Sequence, residues 1–293
     1  MQIESFRMFC DLAETESFTK AAQMNRVTQS AISQQISSLE RAFKSLLIER
    51  SKKKFRLTRE GQVLYDYSKQ IILTHEALHS KFQEIKNVIS GMIRVATIYS
   101  VGLHDLPPYL KKFLKAHPTV NVNVAYRHSG QVYSDVLGNV VDLGLVAYPN
   151  REPNLEVVPL RKEPLVLICH PSHPLAKAKS VKLQELEGQK FIHFEADTPT
   201  RRAIDRLFKE AKVTLKPAME FDNIETVKRA VEVEAGVAIV PQPTVTQEVA
   251  KKILSEVKLD VNDAFRPLAA IYKKSKVLSP AIKQFLAVLQ DEK

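Results

Sequence analysis

The feature that most constrains this 293-residue chain is the stretch from 59 to 89, which holds no proline and a single glycine, Gly61. Within it Leu64, Ile71, Leu78 and Ile85 recur at seven-residue spacing, with Tyr67, Thr74 or His75, Phe82 and Ile89 nearby. That period describes the seam of a coiled coil. At ~1.5 Å per residue the helix would span roughly 45 Å. Such a rod has no core of its own to cover. Burial of Leu64, Ile71, Leu78 and Ile85 against a second copy is the natural solution, so a homodimer is expected.

The same helix contains His75-Glu76-Ala77-Leu78-His79, a literal match to the zinc-protease HExxH pattern. That chemistry needs both histidines on one face, a glutamate base and a third ligand. Phe82 and Ile85 stand where an extended motif would place glycine and histidine, and Leu78 already belongs to the seam. Dimer packing explains the segment better than zinc. A second cluster, Cys169-His170-Pro171-Ser172-His173, lacks a fourth ligand and reads as a strand end and loop. No metal or other cofactor is expected.

The segment ahead of the rod reads as three short helices. Ile3, Phe6, Phe9 and Cys10 fall at helical spacing. A second helix runs from Ser17 or Phe18 to Met24, and Asn25-Arg26-Val27 makes a tight turn. Thr28 has the chemistry of an N-cap. The third helix then carries a core stripe of Ile32, Ile36, Leu39 and Phe43. Its other face is unusual, because residues 28–38 contain no charge at all. A merely solvated face normally carries Glu and Lys; amides and hydroxyls instead suit the donor and acceptor pattern of base edges. Gln29, Ser30, Ser33 and Gln34 are therefore the expected base readers of a helix-turn-helix.

Net charge locates the rest of that interface. The chain carries +10, with an isoelectric point near 9.4. Residues 41–59 supply most of it, with eight basic residues against Glu49 alone. Lys52-Lys53-Lys54-Phe55-Arg56-Leu57 alternates like a strand and suggests a winged hairpin on the phosphates. Thr28, Arg50, Lys52, Lys53, Lys54 and Arg56 are the expected phosphate contacts.

At this point the chain resembles the LysR-type transcriptional regulators. The match rests on Ser17-Phe18-Thr19-Lys20-Ala21-Ala22, on Thr28-Gln29-Ser30-Ala31-Ile32-Ser33-Gln34-Gln35-Ile36-Ser37-Ser38-Leu39-Glu40, on Glu49-Arg50-Ser51 and on Leu57-Thr58-Arg59-Glu60-Gly61. Phe43-Lys44 stands where the family usually has Leu-Gly, and Leu47-Ile48 where it has Leu-Phe. Loss of a glycine at a helix end is expected to shift the turn into the wing.

Beyond Gly91 strands alternate with helices, which implies an α/β fold with parallel sheets. Strands are expected over 93–98, 120–126, 142–148, 165–169, 190–194, 218–221, 236–240 and 269–272. Two such series imply two lobes, with the chain crossing near 161–164 and returning near 265–268. Ligands of open α/β sheets sit beyond strand carboxyl ends, against helix N-termini. That geometry selects Ser100, Val101, Ser129, Gln131, Thr198, Thr200, Arg201 and Asn223, although each Ser or Thr could equally be a helix cap. The resemblance continues through Pro164-Leu165-Val166-Leu167, His173-Pro174-Leu175-Ala176 and Ala235-Gly236-Val237-Ala238-Ile239-Val240-Pro241. It implies a bilobed, periplasmic-binding-protein-like (Rossmann-like) effector domain, with an inducer held at Ser100, Ser129, Thr198 and Thr200. It also implies a dimer of dimers.

The expected organisation is a winged helix-turn-helix over 1–58, a linker and dimerisation helix over 59–90, and an effector domain over 91–293. Lobe I would take about 91–162 and 267–293, and lobe II about 163–266. The partners expected are double-stranded promoter DNA, a small effector and further copies of the chain, in the cytoplasm. Two cysteines make no disulfide framework, and no apolar run approaches a membrane span. With no glycine-rich phosphate loop and no Gly-x-Ser-x-Gly elbow, an enzyme is not expected. Arg201 or Arg202 tilts the effector towards a carboxylate, sulfate or phosphate.

Overall fold

The computed structural model describes residues 2–49, 55–85 and 89–291, apart from the side chains of residues 83 and 84. Three helices open the chain: α1 (Ile3–Thr15), α2 (Phe18–Asn25) and α3 (Gln29–Phe43). Phe6, Phe9, Leu12, Ala21, Ile32, Ile36 and Leu39 form their common core, joined by Leu47 and Ile48. An antiparallel bridge between Ile48 and Leu57 closes the base of a wing, with Glu49 donating its N–H to the Arg56 carbonyl at 2.9 Å. At the turn into that wing the helix keeps a left-handed cap without a glycine. Lys44 adopts the left-handed conformation itself, at φ 52°, and its N–H reaches the Glu40 and Arg41 carbonyls as a glycine's would.

Helix α4 (Arg59–Ile85) follows. Thr58 caps it by accepting from the Gly61 N–H at 2.9 Å. A side chain at position 61 would put its Cβ 2.0 Å from the Leu47 carbonyl, so only glycine lets the helix start this close to the wing. Lys69 and Tyr65 both hold Glu14, and Arg7 pairs with Glu76 at 3.1 Å, tying α4 to α1.

The larger part is an α/β fold of two lobes. Strands β1 (Gly91–Thr97), β2 (Val120–Tyr126) and β3 (Leu143–Ala147) are mutually parallel, in the order β2-β1-β3. Helices α5 (Leu106–Ala116) and α6 (Ser129–Leu137) connect them, and a π-helical turn, Val101–Asp105, precedes α5. Strand β4 (Leu155–Cys169) is longer than its sequence suggests, because Pro159, Pro164 and the charged run Arg161-Lys162-Glu163 interrupt the apolar pattern. It passes from lobe I into lobe II. There it is joined by β5 (Ser180–Val181), β8 (Ala238–Pro241) and β9 (Ser255–Leu259), while β6 (Lys190–Phe194) and β7 (Lys216–Phe221) form a separate parallel pair. Lobe II also holds helices α7 (Pro199–Glu210), α8 (Ile224–Glu232) and α9 (Thr246–Ala250). Strand β10 (Phe265–Lys273) returns between β3 and β4, and α10 (Pro280–Gln290) covers lobe I.

All-parallel sheets are therefore not what forms: β10 runs antiparallel to both β3 and β4, and β8 and β9 run antiparallel to β4. Two direct strand paths between lobes require this, since one must run out and the other back. Lobe I buries Ile93, Val95, Leu143, Ala270 and Phe285 in one layer, and lobe II has a larger core around Leu167, Phe191, Val227 and Ile239. At the crossing Glu163 faces Arg266 across β4 and β10, beside a register shift between Pro267 and Ala269. Proline is tolerated inside a sheet at such irregularities.

Candidate DNA-reading face and effector cleft

The third helix is set by its cap and its stripe. Thr28 Oγ1 accepts from the Ala31 N–H at 3.2 Å, while Ile32, Ile36 and Leu39 turn into the core. Gln29, Ser30, Ser33 and Gln34 are consequently exposed on the opposite side. Gln35 is turned differently: its Nε2 donates to the buried hydroxyl of Ser5, so it packs α3 on α1. Arg56 is exposed at the wing's base, whereas Arg50, Lys52, Lys53 and Lys54 lie outside the described residues. Along α4, Ile71, Leu78, Phe82 and Ile85 are 42, 54, 55 and 70% exposed. Leu64 is not part of that open row. It packs against the core of its own reading head, as Tyr65 and Ile72 do. The rings of His75 and His79 meet edge to face at 4.5 Å.

Between the lobes is a small cavity of about 70 Å3. Ser100, Ser129, Thr198, Thr200 and Asn223 line it together, with Tyr99, Arg127, His128, Phe194, Asp222 and Arg266. The first turns of α6, α7 and α8 meet there beside the π-helical turn, so three helix N-termini favour negative charge. Two of the hydroxyl and amide groups are also caps. Thr198 Oγ1 accepts from the Arg201 N–H at 3.3 Å, and Asn223 Oδ1 accepts from Glu225 and Thr226 at 3.0 and 3.1 Å. Ser100 is different, because its hydroxyl makes no cap bond and accepts from Arg266 Nη1 at 2.8 Å.

Three of the expected residues do not line the cavity. Val101 is fully buried in the core of lobe I, and its N–H is taken by the Ile98 carbonyl at 3.2 Å. Gln131 Nε2 folds back along α6 onto Asp135 Oδ1 at 2.6 Å. Arg201 lies behind the cleft, held by Asp205 at 2.8 Å and Glu220 at 2.9 Å. Sequence reasoning in turn missed the two arginines at the cleft, Arg127, paired with Asp135 at 3.1 Å, and the buried Arg266. Arg266 is 1% exposed and paired with Glu163, itself 3% exposed. A lone arginine inside an apolar strand was the available signal. The lobes also touch through His104 of the π-helical turn and Glu225 of α8, 2.7 Å apart. Burial opposes charge on Glu225, but hydrogen bonds from His104 and Lys228 outweigh it and hold the carboxyl below its usual range.

Residues 3–62 match the family model for the bacterial regulatory helix-turn-helix protein of the lysR family, and residues 86–293 match that for the LysR substrate binding domain. The chain belongs to the LysR family. It is a DNA-binding transcriptional regulator with an effector-binding domain. The HTH-type transcriptional activator CmpR of Synechocystis is 29% identical to this regulator over 287 residues, covering 98% of this chain and 94% of that one. A full-length OxyR variant from Pseudomonas aeruginosa shares its fold at a TM-score of 0.76 and 20% identity, over 99% of this chain and 98% of that one. The regulatory domain of Synechocystis CcmR, solved in complex with 2-PG, superposes at a TM-score of 0.63 with 27% identity, over 69% of this chain and 96% of that one. Among the described residues, no helix of the regulator is long and apolar enough to cross a membrane.

Proposed function

We propose that this LysR-family regulator reads operator DNA with Gln29, Ser30, Ser33 and Gln34 of α3 and responds to a small anion held between its lobes. The observation that carries the second half is Arg266, a buried cation that hydrogen-bonds Ser100 at the wall of the interlobe cavity. Converging helix N-termini add to the attraction, and Asp222 is the acidic group opposing it. The 2-PG of the CcmR complex is a first member of the panel to test.

In this reading residues 1–58 bind DNA, residues 59–90 pair two chains, and residues 91–293 sense the effector. Lobe I comprises about 91–162 and 267–293, and lobe II about 163–266. Arg50, Lys52, Lys53, Lys54 and Arg56 hold phosphates, and the regulator works as a homodimer or a dimer of dimers. A cavity of about 70 Å3 is well below the ~300–1,000 Å3 of usual ligand pockets. The ligand is therefore compact, or the lobes part to admit it. Coupling is then a matter of linkage: an anion that prefers one lobe arrangement biases how the paired heads meet two half-sites.

Gel shifts on DNA upstream of the regulator's own gene, with and without candidate anions, test this reading. Gln34→Ala is expected to cost ~1–3 kcal/mol on the specific site and to relax base preference. Equal losses on specific and random DNA would remove Gln34 from base reading. Ser100→Ala is expected to blunt the response to the anion while DNA binding persists. Collapse of DNA binding would make Ser100 a structural residue instead.

A further inference from the structure

Arg266, the buried one of the two arginines lining the cleft, already has a resident counter-ion. Arg266 Nε donates to Glu163 Oε2 at 2.8 Å and Nη2 donates to the same oxygen, while Nη1 reaches Ser100. Glu163 Oε1, the other carboxylate oxygen, is buried with no hydrogen-bond partner among the described residues. Only three of the five N–H groups of a guanidinium are accounted for by these bonds. The pair thus departs from the two-oxygen fork that makes Arg–carboxylate pairs strong. It leaves one carboxylate oxygen without compensation and part of the guanidinium available at the cavity wall.

We propose that Glu163 is an exchangeable counter-ion, and that an anion entering the cleft takes over Arg266 while Glu163 takes up a proton from solvent. This rests on the reading of the cleft as an anion site and adds its regulation. An incoming anion would leave Arg266 facing two negative groups in a region of low polarisability, and protonation of the buried carboxylate removes that excess. The charged groups around Glu163 permit it. Arg161, on the same strand, is engaged by Asp105, with Nη2 and Nε at 2.6 and 2.9 Å from its carboxylate oxygens, and the two act on Glu163 in opposite directions. Burial already pushes the Glu163 carboxyl above its usual range, against the opposing pull of Arg266 and with a further upward push from Asp105. The effector signal and ambient pH would then act on the same two residues, at the point where β4 and β10 cross between lobes.

Sulfate is the appropriate probe, since its charge does not change near neutrality. Calorimetric titration of the full-length protein with sodium sulfate, in two cationic buffers of different ionisation enthalpy, counts the protons taken up. Uptake approaching one proton per sulfate is expected, with Kd rising up to about tenfold per pH unit across the window in which Glu163 changes state. That window lies above the usual carboxylate range. His128 also faces the cleft, so His128→Gln should keep the uptake and Glu163→Gln should lose it. Glu163→Gln is also expected to bind sulfate at least about tenfold more tightly than the parent at alkaline pH, because no charged partner has to be displaced. Equal uptake in the parent and Glu163→Gln would overturn the proposal. Absence of uptake between about pH 5 and 8 in His128→Gln, a variant that leaves the buried pair intact, would overturn it without depending on Glu163→Gln folding. If sulfate failed to bind while an uncharged metabolite altered the gel shift, the proton exchange would fall and the regulator reading would stand.

Discussion

His193 sits against the Phe191 ring, with centroids 4.6 Å apart, and its Nδ1 is buried without a partner among the described residues. Burial, and then the charge of Arg201, push its pKa down to about 4. The unfolded chain would bind this proton near pH 6.5, the folded chain only near 4. Between those values the unfolded state is the more protonated, so stability present above pH 6.5 is lost as pH falls towards 4. The effect is at most about 3 kcal/mol. Denaturant titrations at pH 7 and pH 4.5 should therefore show a smaller acid loss for His193→Met than for the parent. Parallel losses would mean that His193 titrates normally. The two thiols behave differently. Burial raises Cys10 to about 12 and Cys169 to about 11, which keeps both protonated and poorly nucleophilic near neutrality.

At the scale of elements, the three helices of the reading head end alike. Glu16, Arg26 and Lys44 close α1, α2 and α3 in the left-handed conformation, at φ 49, 54 and 52°. A side chain costs roughly 1–2 kcal/mol in that region, and glycine does not. Lys44→Gly should accordingly raise head stability by about 0.5–1 kcal/mol, net of the freedom glycine gains when unfolded. Thermal unfolding would show it, and an unchanged or lower midpoint would mean that Lys44 makes a contact worth more than its strain. The helices themselves were legible because their signals are local: the N-cap at Thr28, the uncharged face and the stripe of Ile32, Ile36 and Leu39, although Phe43, expected to continue that stripe, is 43% exposed at the helix end. Strand β4 was legible only over its last five residues, Leu165 to Cys169, where both faces are buried in lobe II. Its first part carries prolines and charges and pairs as a strand with β10, about a hundred residues away, and no local pattern reports such a pairing. Arg266 was missed for the same reason. Val101 was assigned to the cleft from its place after a strand, but the π-helical turn directs it into the core.

For the whole molecule, the row of exposed apolar side chains on α4 sets the expected assembly. Ile71, Leu78, Phe82 and Ile85 remain exposed within the chain, Ile85 most of all, and a second α4 offers a complementary row. Leu78→Glu touches an exposed position, so it should change the fold of one chain by little. Sedimentation should nevertheless shift towards the monomer, and DNA affinity should drop as the two heads separate. A variant that sediments as the parent does would place the partner contact elsewhere. Two lobes were foreseeable, as were crossings near 161–164 and 265–268, but the antiparallel pairing of β4 with β10 was not. The alternation of strands and helices reports how many sheets there are, whereas the direction of β4 and β10 depends on where the chain must return.

Strand β10 lies between β3 and β4, inside the sheet of lobe I, yet it is separated from β3 by the whole of lobe II. A chain emerging in order from the ribosome therefore has the material for lobe II before lobe I can complete its sheet. Until residue 273 emerges, β3 keeps an open hydrogen-bonding edge, and that edge is protected only when the last strand arrives. The layout that joins the lobes by two strands thus also fixes the order of their maturation. The metabolite sensor is finished last, after the DNA-reading head has long been free to fold.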